Sequence, residues 1–219
     1  MDIRLVIFDF DGTLGDTRRN IVTTMQMTIA ELCLPSRSDD ECGSKIGLPL
    51  EGCFRALYPH VGEDTIQRCA NTYRRIFQEN LQSIKPQLFP DVKETLATLK
   101  ERGYMLTIAS SRWHHSLQEL TEELGIASYF SLIVGADDVA RAKPHPEPVL
   151  KTLSALNVDA SEALVVGDMD VDIVMGAEAG CATCGVTWGN GKKADLEKAG
   201  AHFIIDRMSE LLERLGNHE

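Results

Sequence analysis

Asp9 and Asp11 flank Phe10 at the end of an apolar run, and Gly12 and Thr13 follow directly. In an extended strand, residues i and i+2 point to the same side. Two carboxylates therefore converge just beyond the strand end, where Gly12 lets the backbone turn sharply. Close carboxylates repel, so a divalent cation or a shared proton must stabilise them. Magnesium (Mg2+) is the natural partner, a hard octahedral ion that binds carboxylates and usually keeps several waters. In that setting Asp9 can attack phosphorus and form an aspartyl-phosphate. Asp11 can protonate the leaving oxygen and then activate water. The competing reading is an Asx-turn pair that simply ends a strand.

Three further segments carry groups suited to the same chemistry. Asp168 follows an apolar run and Gly167, placed to be another metal ligand. Asp172 lies one helical turn on and faces back toward it. Asp170, between them, is a candidate N-terminal helix charge, and helix capping is the alternative for Asp168 and Asp172. Ser110 ends another run, where a hydroxyl and backbone N–H groups suit a phosphate oxygen. Ser111 has two readings, a phosphate contact or the N-cap of the next helix. Arg112 reads as a solvated cation that could help hold phosphate. Lys143 precedes Pro144-His145-Pro146, and the prolines limit how the lysine can point. A fixed ammonium beside carboxylates neutralises charge developing on phosphoryl oxygens. Gly12, Thr13, Ser110, Ser111 and Lys143 are thus the candidate phosphate contacts. His145, wedged between prolines, is not read as catalytic.

The elements that must position these groups form an alternating series. Strand-like runs fall at residues 3–8, 105–109, 132–134, 163–166, 183–186 and 202–205. Helix-like stretches fall at 91–101, 114–124, 147–156, 171–179 and 192–199. This pattern predicts a parallel sheet covered on both faces. In such sheets the active site lies at the carboxyl ends of the strands, where each segment above sits. Residues 15–85 break the alternation. They show helical periodicity and no strand pattern, with apolar faces at Ile21, Met25, Ile29 and Leu32 and again at Ile66, Cys69, Tyr73, Ile76 and Phe77 within 63–81. The expected architecture is an α/β, Rossmann-like core of residues 1–14 and 86–219 with an inserted α-helical cap at 15–85. Pro86 and Pro90 stiffen the second linker.

The chain has 219 residues, 43% hydrophobic and 25% charged, with a formal charge of −11. That length allows one good core with a small second domain. The acidic balance argues against nucleic-acid or anionic-membrane binding, both of which need basic patches. An anionic substrate must instead be drawn in by a local metal and a few buried cations. No apolar run reaches the roughly 18 residues of a membrane span, and no signal peptide is read at the N-terminus. The expectation is a cytoplasmic monomer or homodimer acting on a small phosphorylated substrate. Cysteines at 33, 42, 53, 69, 181 and 184 are expected to be reduced. Cys181 and Cys184 form a CxxC with no second pair and only His202 as a possible third ligand, so they read as buried small hydrophobes rather than zinc ligands.

Asp9-x-Asp11-Gly12-Thr13, Ser110, Lys143-Pro144-x-Pro146 and Gly167-Asp168-x-x-x-Asp172 together resemble the four motifs of the haloacid dehalogenase (HAD) superfamily. The resemblance spans nearly the whole chain, and residues 15–85 look like that family's C1 cap. It implies a Rossmann-like core, a mobile helical lid and a magnesium-dependent aspartyl-phosphate mechanism. The subgroup it most resembles holds phosphoglycolate phosphatases, pyrophosphatases and β-phosphoglucomutases. By motif position, Asp9 is the implied nucleophile and Asp11 the acid/base. Magnesium is implied at Asp9, the Asp11 backbone carbonyl and Asp168, with Asp172 supporting the metal or Lys143. Ser110 and Lys143 would hold the transferring phosphoryl group. Asp11 argues for phosphoryl transfer, since the superfamily's dehalogenases lack that second aspartate. Mutases usually carry a Ser-Arg pair in the cap loop, whereas this chain has Gly47-Leu48-Pro49-Leu50, which disfavours that activity. Arg112 stands where a lysine is common. Arg18, Arg19 and Lys45 are the basic residues expected near the opening, each read as a surface cation rather than a ligand. The implied function is a phosphoglycolate phosphatase-like phosphatase. An inorganic pyrophosphatase or a sugar-phosphate mutase is the alternative within the family, and a non-catalytic binding protein the alternative outside it.

Overall fold

The computed structural model describes residues 2–80 and 83–216. The chain opens with strand β1 (Leu5–Phe8) and a short strand β2 (Gly15–Asp16). Four helices follow: α1 (Arg18–Glu31), α2 (Asp39–Gly43), α3 (Leu50–Leu57) and α4 (Glu63–Asn80). Strand β3 (Gln87–Leu88) leads to α5 (Val92–Glu101), β4 (Met105–Ala109), α6 (His114–Glu123), β5 (Leu132–Val134) and α7 (Glu147–Leu156). The remainder is β6 (Ala163–Gly167), α8 (Asp170–Glu178), β7 (Ala182–Val186), α9 (Lys193–Lys198), β8 (Phe203–Ile205) and α10 (Leu211–Leu215).

The main sheet has six strands in the order β5-β4-β1-β6-β7-β8, and every neighbouring pair is parallel. All four β1 side chains are buried, as expected for a strand covered on both faces. Alternation sorts them. Val6 and Phe8 join Leu106, Ile108, Leu164 and Val166 on one face, under Leu96 and Leu99 of α5. Leu5 and Ile7 join Val165 on the other, against Val149 of α7 and Met175 of α8. From β1 the chain first adds β4 and β5 on one side, then returns to place β6 on the other. That reversal leaves a crevice at the carboxyl ends of the central strands. Asp9, Ser110 and Asp168 are the residues that directly follow β1, β4 and β6.

Helices α1 and α4 pack together, as do α3 and α4. The faces predicted for the two long helices are the buried ones, including Ile21, Met25, Ile66, Cys69, Tyr73 and Phe77. Leu81, placed at the end of the second by periodicity, lies outside the described residues. Tyr73 meets Phe54 edge-on at 6.2 Å between ring centroids and stacks on Phe77 at 6.0 Å. These helices share one continuous apolar cluster with Phe8 and Phe10 of the sheet side.

One expectation needs correction. Residues 15–85 are not free of strand, because Gly15–Asp16 pairs antiparallel with Gln87–Leu88. Two residues are too few for a periodic signal. The ribbon joins the two chain passages that connect the helices to the sheet. Both cysteines of the CxxC are buried, as expected of small hydrophobes, and neither is in a disulfide. Cys181 packs in the apolar cluster on one face of the sheet and Cys184 in the cluster on the other. Among the described residues no helix is long and apolar enough to cross a membrane.

Candidate active site

The backbone N–H of Asp9 donates to the Val166 carbonyl at 2.9 Å, carrying the β1–β6 pairing one residue past the strand. The chain then turns. Gly12 has φ +92°, and a Cβ there would lie 2.3 Å from Asp168 Oδ2. Glycine is needed both for that conformation and for that approach. Thr13 Oγ1 donates to Asp168 Oδ1 at 3.2 Å. The Asn190 backbone N–H donates to Asp168 Oδ2 at 2.6 Å, and Trp188 Nε1 holds the Thr13 carbonyl at 3.1 Å. Gly12 and Thr13, read as phosphate contacts, thus border and hold Asp168.

Asp9, Asp168 and Asp172 each offer a carboxylate oxygen within 4.8 Å of the other two. All three are buried, at 7%, 0% and 1% exposure, and so is Lys143 at 5%. Lys143 Nζ donates to Asp9 Oδ1 and to Asp172 Oδ1, both at 2.6 Å. The Met169 backbone N–H donates to Asp172 Oδ2 at 3.0 Å. Both Asp172 oxygens are therefore engaged, and one of them closes the start of α8. Asp172 thus contacts Lys143 and caps the helix start at once. Asp9 Oδ2 has no hydrogen-bond partner among the described residues.

Three carboxylates against one ammonium leave this buried cluster formally anionic. Burial holds the Asp9 carboxyl well above the usual carboxylate range, and Asp172, Asp168 and Asp11 push the same way against Lys143. Burial, then Asp172, pushes Asp168 up to about 7. Lys143 is pulled down by burial, but Asp172 and Asp9 more than reverse this and keep it charged. An uncompensated, all-oxygen donor set fits a hard divalent cation. No thiol or imidazole belongs to the cluster.

Asp11 goes elsewhere. Strand β1 ends at Phe8, so alternation no longer aligns Asp11 with Asp9, and Asp11 instead bridges to Gly15. Its carboxylate lies outside the three-carboxylate cluster. Thr17 Oγ1 donates to Asp11 Oδ1 at 2.6 Å, and Arg112 Nε donates to Oδ1 and Oδ2 at 2.9 and 2.8 Å. The solvated-cation reading of Arg112 is therefore wrong. Its side chain is 10% exposed and lies 4.8 Å over the Phe77 ring.

Asp9, Asp11, Ser110, Ser111 and Arg112 line one cavity of about 270 Å³, whose other walls come from α1, α3, α4, the start of α6 and the loop around Gly47. Ser110 Oγ accepts from the Arg112 backbone N–H at 3.3 Å, leaving its hydroxyl proton available to a ligand. Ser111 is not the N-cap of the next helix. Trp113 is the N-cap of α6, and Ser111 Oγ donates to the Gly47 carbonyl at 2.7 Å. Arg18, Arg19 and Lys45 do not line the cavity, and Arg18 pairs with Asp40 on the surface. The cavity cation from the helices is Arg74, which stacks 3.6 Å over Trp113. Cys53 also lines it, but burial pushes its thiol up to about 12, so no thiolate nucleophile is available.

Sequence reasoning passed over Thr17, Asn190, Arg74 and Trp113. Gly189-Asn190-Gly191 lies beyond the carboxyl end of β7, the position that marked the other segments, so Asn190 was within reach of the same rule. Arg74 adjoins the apolar face of α4 and carries no signal of its own.

A family model for haloacid dehalogenase-like hydrolases matches residues 6–186. "Probable phosphatase IndB" of Dickeya dadantii is 40% identical to the chain, covering 95% of it and 91% of that protein. "Pyrophosphatase PpaX" of Anoxybacillus flavithermus is 32% identical, covering 99% and 98%. Among solved structures, a predicted phosphoglycolate phosphatase from Haemophilus somnus superposes with a TM-score of 0.91 at 25% identity over 99% of each chain.

Proposed function

The chain belongs to the haloacid dehalogenase-like hydrolases, and on that footing we propose that it is a magnesium-dependent phosphatase. In this reading it hydrolyses a small phosphorylated metabolite through an aspartyl-phosphate on Asp9. The observation that carries it is the state of Asp9, which lines the cavity: Oδ1 is held by Lys143, while Oδ2 is unpartnered among the described residues. Lys143 fixes the carboxylate for attack and, with the Ser110 hydroxyl, balances charge on the phosphoryl oxygens. Asp9 Oδ2 forms the bond to phosphorus as the bond to the leaving oxygen breaks. Asp11, oriented by Thr17 and Arg112, gives that oxygen its proton, then takes one from the water that cleaves the aspartyl-phosphate. Asp9 and Asp168, with the Asp11 carbonyl, would hold magnesium, and Asp172 would orient Lys143. When bound, the ion supplies a Lewis acid that draws charge from the phosphoryl group. Helices α1 to α4 act as the cap over the leaving group, with the β2–β3 ribbon as its hinge.

The test is phosphate release from a panel of phosphoesters with magnesium, using Asp9→Asn as the control. Activity lost in the variant supports the reading, and equal activity in both proteins rejects it. A second reading, inorganic pyrophosphatase, is supported by the relative that carries that name over nearly its whole length. Pyrophosphate as the dominant substrate would select it.

A further inference from the structure

Two donors in the cavity wall lack acceptors. Tyr73, on helix α4, faces the cavity and is 7% exposed. Its ring is well used, edge-on to Phe54 and stacked on Phe77. Its hydroxyl, however, has no hydrogen-bond partner among the described residues. Phenylalanine would serve the packing alone, and a hydroxyl buried without a partner costs stability. Burial pushes the Tyr73 phenol up, and Arg112 only partly opposes this. The oxygen therefore keeps its proton and can donate.

Arg112 is the second. It lines the cavity with its side chain 10% exposed. Nε carries the pairing to Asp11, and Nη1 reaches Ser116 Oγ only at 3.4 Å. Nη2 is buried and has no partner among the described residues. A charged donor left in that state costs more than a neutral one. Arg112 lies 4.8 Å over the Phe77 ring, on which Tyr73 stacks at 6.0 Å. The two residues are thus neighbours through one ring, Tyr73 from α4 and Arg112 from the loop after β4. In the reaction proposed above, Asp11 carries a proton as the ester binds, so the Arg112 charge is then without its counter-ion. A guanidinium beside a phenol favours an anionic oxygen, because hydrogen bonds between charged groups are the stronger ones.

We propose that Tyr73 and Arg112 form a subsite for the leaving group, in which the Tyr73 hydroxyl and Arg112 Nη2 donate to a carboxylate or phosphate that the leaving group carries. This rests on the phosphatase reading above. At about 270 Å³ the cavity is near the small end of ligand pockets, which start at roughly 300 Å³, so the leaving group is small.

The test is Tyr73→Phe, which removes the hydroxyl and keeps the ring. Three substrates are compared with magnesium. The leaving group carries a carboxylate in phosphoglycolate, a phosphate in pyrophosphate and no anion in propyl phosphate. The variant should lower kcat/KM for phosphoglycolate or pyrophosphate at least ~10-fold more than for propyl phosphate. The substrate that loses more tells carboxylate from phosphate. Equal losses on all three, or no loss, overturn the subsite and leave the phosphatase reading intact. Binding of non-hydrolysable phosphonates gives a readout that needs no turnover. Phosphonopropionate and methylenediphosphonate carry a second anion, and propylphosphonate carries a methyl in its place. By calorimetry with magnesium, one of the two dianionic-headed ligands should bind at least ~10-fold tighter than propylphosphonate. That advantage should shrink in Tyr73→Phe and in Arg112→Gln. No phosphate release above Asp9→Asn from any substrate overturns the phosphatase reading. The phosphonates then decide the subsite: an advantage that shrinks in Tyr73→Phe upholds it, and one that is absent or unchanged there ends it.

Discussion

Lys143 holds two buried carboxylates at 2.6 Å each, so its removal leaves charges that nothing else in the cluster balances. Lys143→Met should cost about 3–5 kcal/mol of stability, the range for breaking one side of a buried pair. Denaturant unfolding measures it, and a loss below ~1 kcal/mol would show that the cluster is already neutralised by protonation. Asp9→Asn removes the attacking oxygen but keeps the shape, and Lys143 retains Asp172. Turnover should fall ~10³-fold or more with the fold intact, as read by phosphate release and circular dichroism. At this scale the sequence was informative about which residues meet and less so about how. Asp9, Lys143, Asp168 and Asp172 come together as their positions after strands predict. Asp11 parts from Asp9 because β1 ends at Phe8, before either of them, so strand alternation does not align the two. Arg112 is buried by the approach of α4 through Phe77, a contact between residues 35 positions apart that no local pattern encodes.

The turn after β1 and the loop after β7 fix Asp168. Gly12→Ala would force a Cβ to within 2.3 Å of Asp168 Oδ2 at a φ of +92°. It should weaken metal binding and activity together, and an unchanged magnesium titration would contradict this use of the turn. The Asp168 carboxyl, pushed up to about 7 by burial and Asp172, also sets a direction for pH. A carboxyl whose folded value exceeds its unfolded one near 3.8 binds more protons when folded. The stability it lends is fully present below about pH 4 and is lost as pH rises through about 7. In the proposed reading magnesium takes the place of the lost proton, so the rise in Tm on adding it should be larger at about pH 8 than at about pH 6. Equal shifts at both would show that Asp168 does not take part in holding the ion. The strands of the main sheet and the longer helices were readable because each repeats its pattern several times. The β2–β3 ribbon and the short helix α2 were not, since two and five residues hold no period.

The whole molecule carries a formal charge of −11, which repels an anionic substrate over distances comparable to the Debye length, ~10 Å at 0.1 M salt. At saturating magnesium, kcat/KM for a phosphomonoester should therefore rise as salt is raised from low ionic strength, with kcat little changed. A fall in kcat/KM would mean that local cations, not net charge, govern encounter. The α/β class and the helical insertion followed from the order of patterns along the chain. Which helix residues wall the cavity did not, because that depends on how the α1–α4 helices settle on the carboxyl edge of the sheet. Through that arrangement the account depends on one bond, between Asp9 and phosphorus. The most direct measurement is rapid-quench mass spectrometry of Asp11→Asn with magnesium and an aryl phosphate, whose leaving group needs little protonation but whose acyl phosphate then lacks its base. The account predicts a phosphoryl adduct on the peptide containing Asp9. Release of the phenol with no such adduct, or with the adduct on another residue, would contradict it.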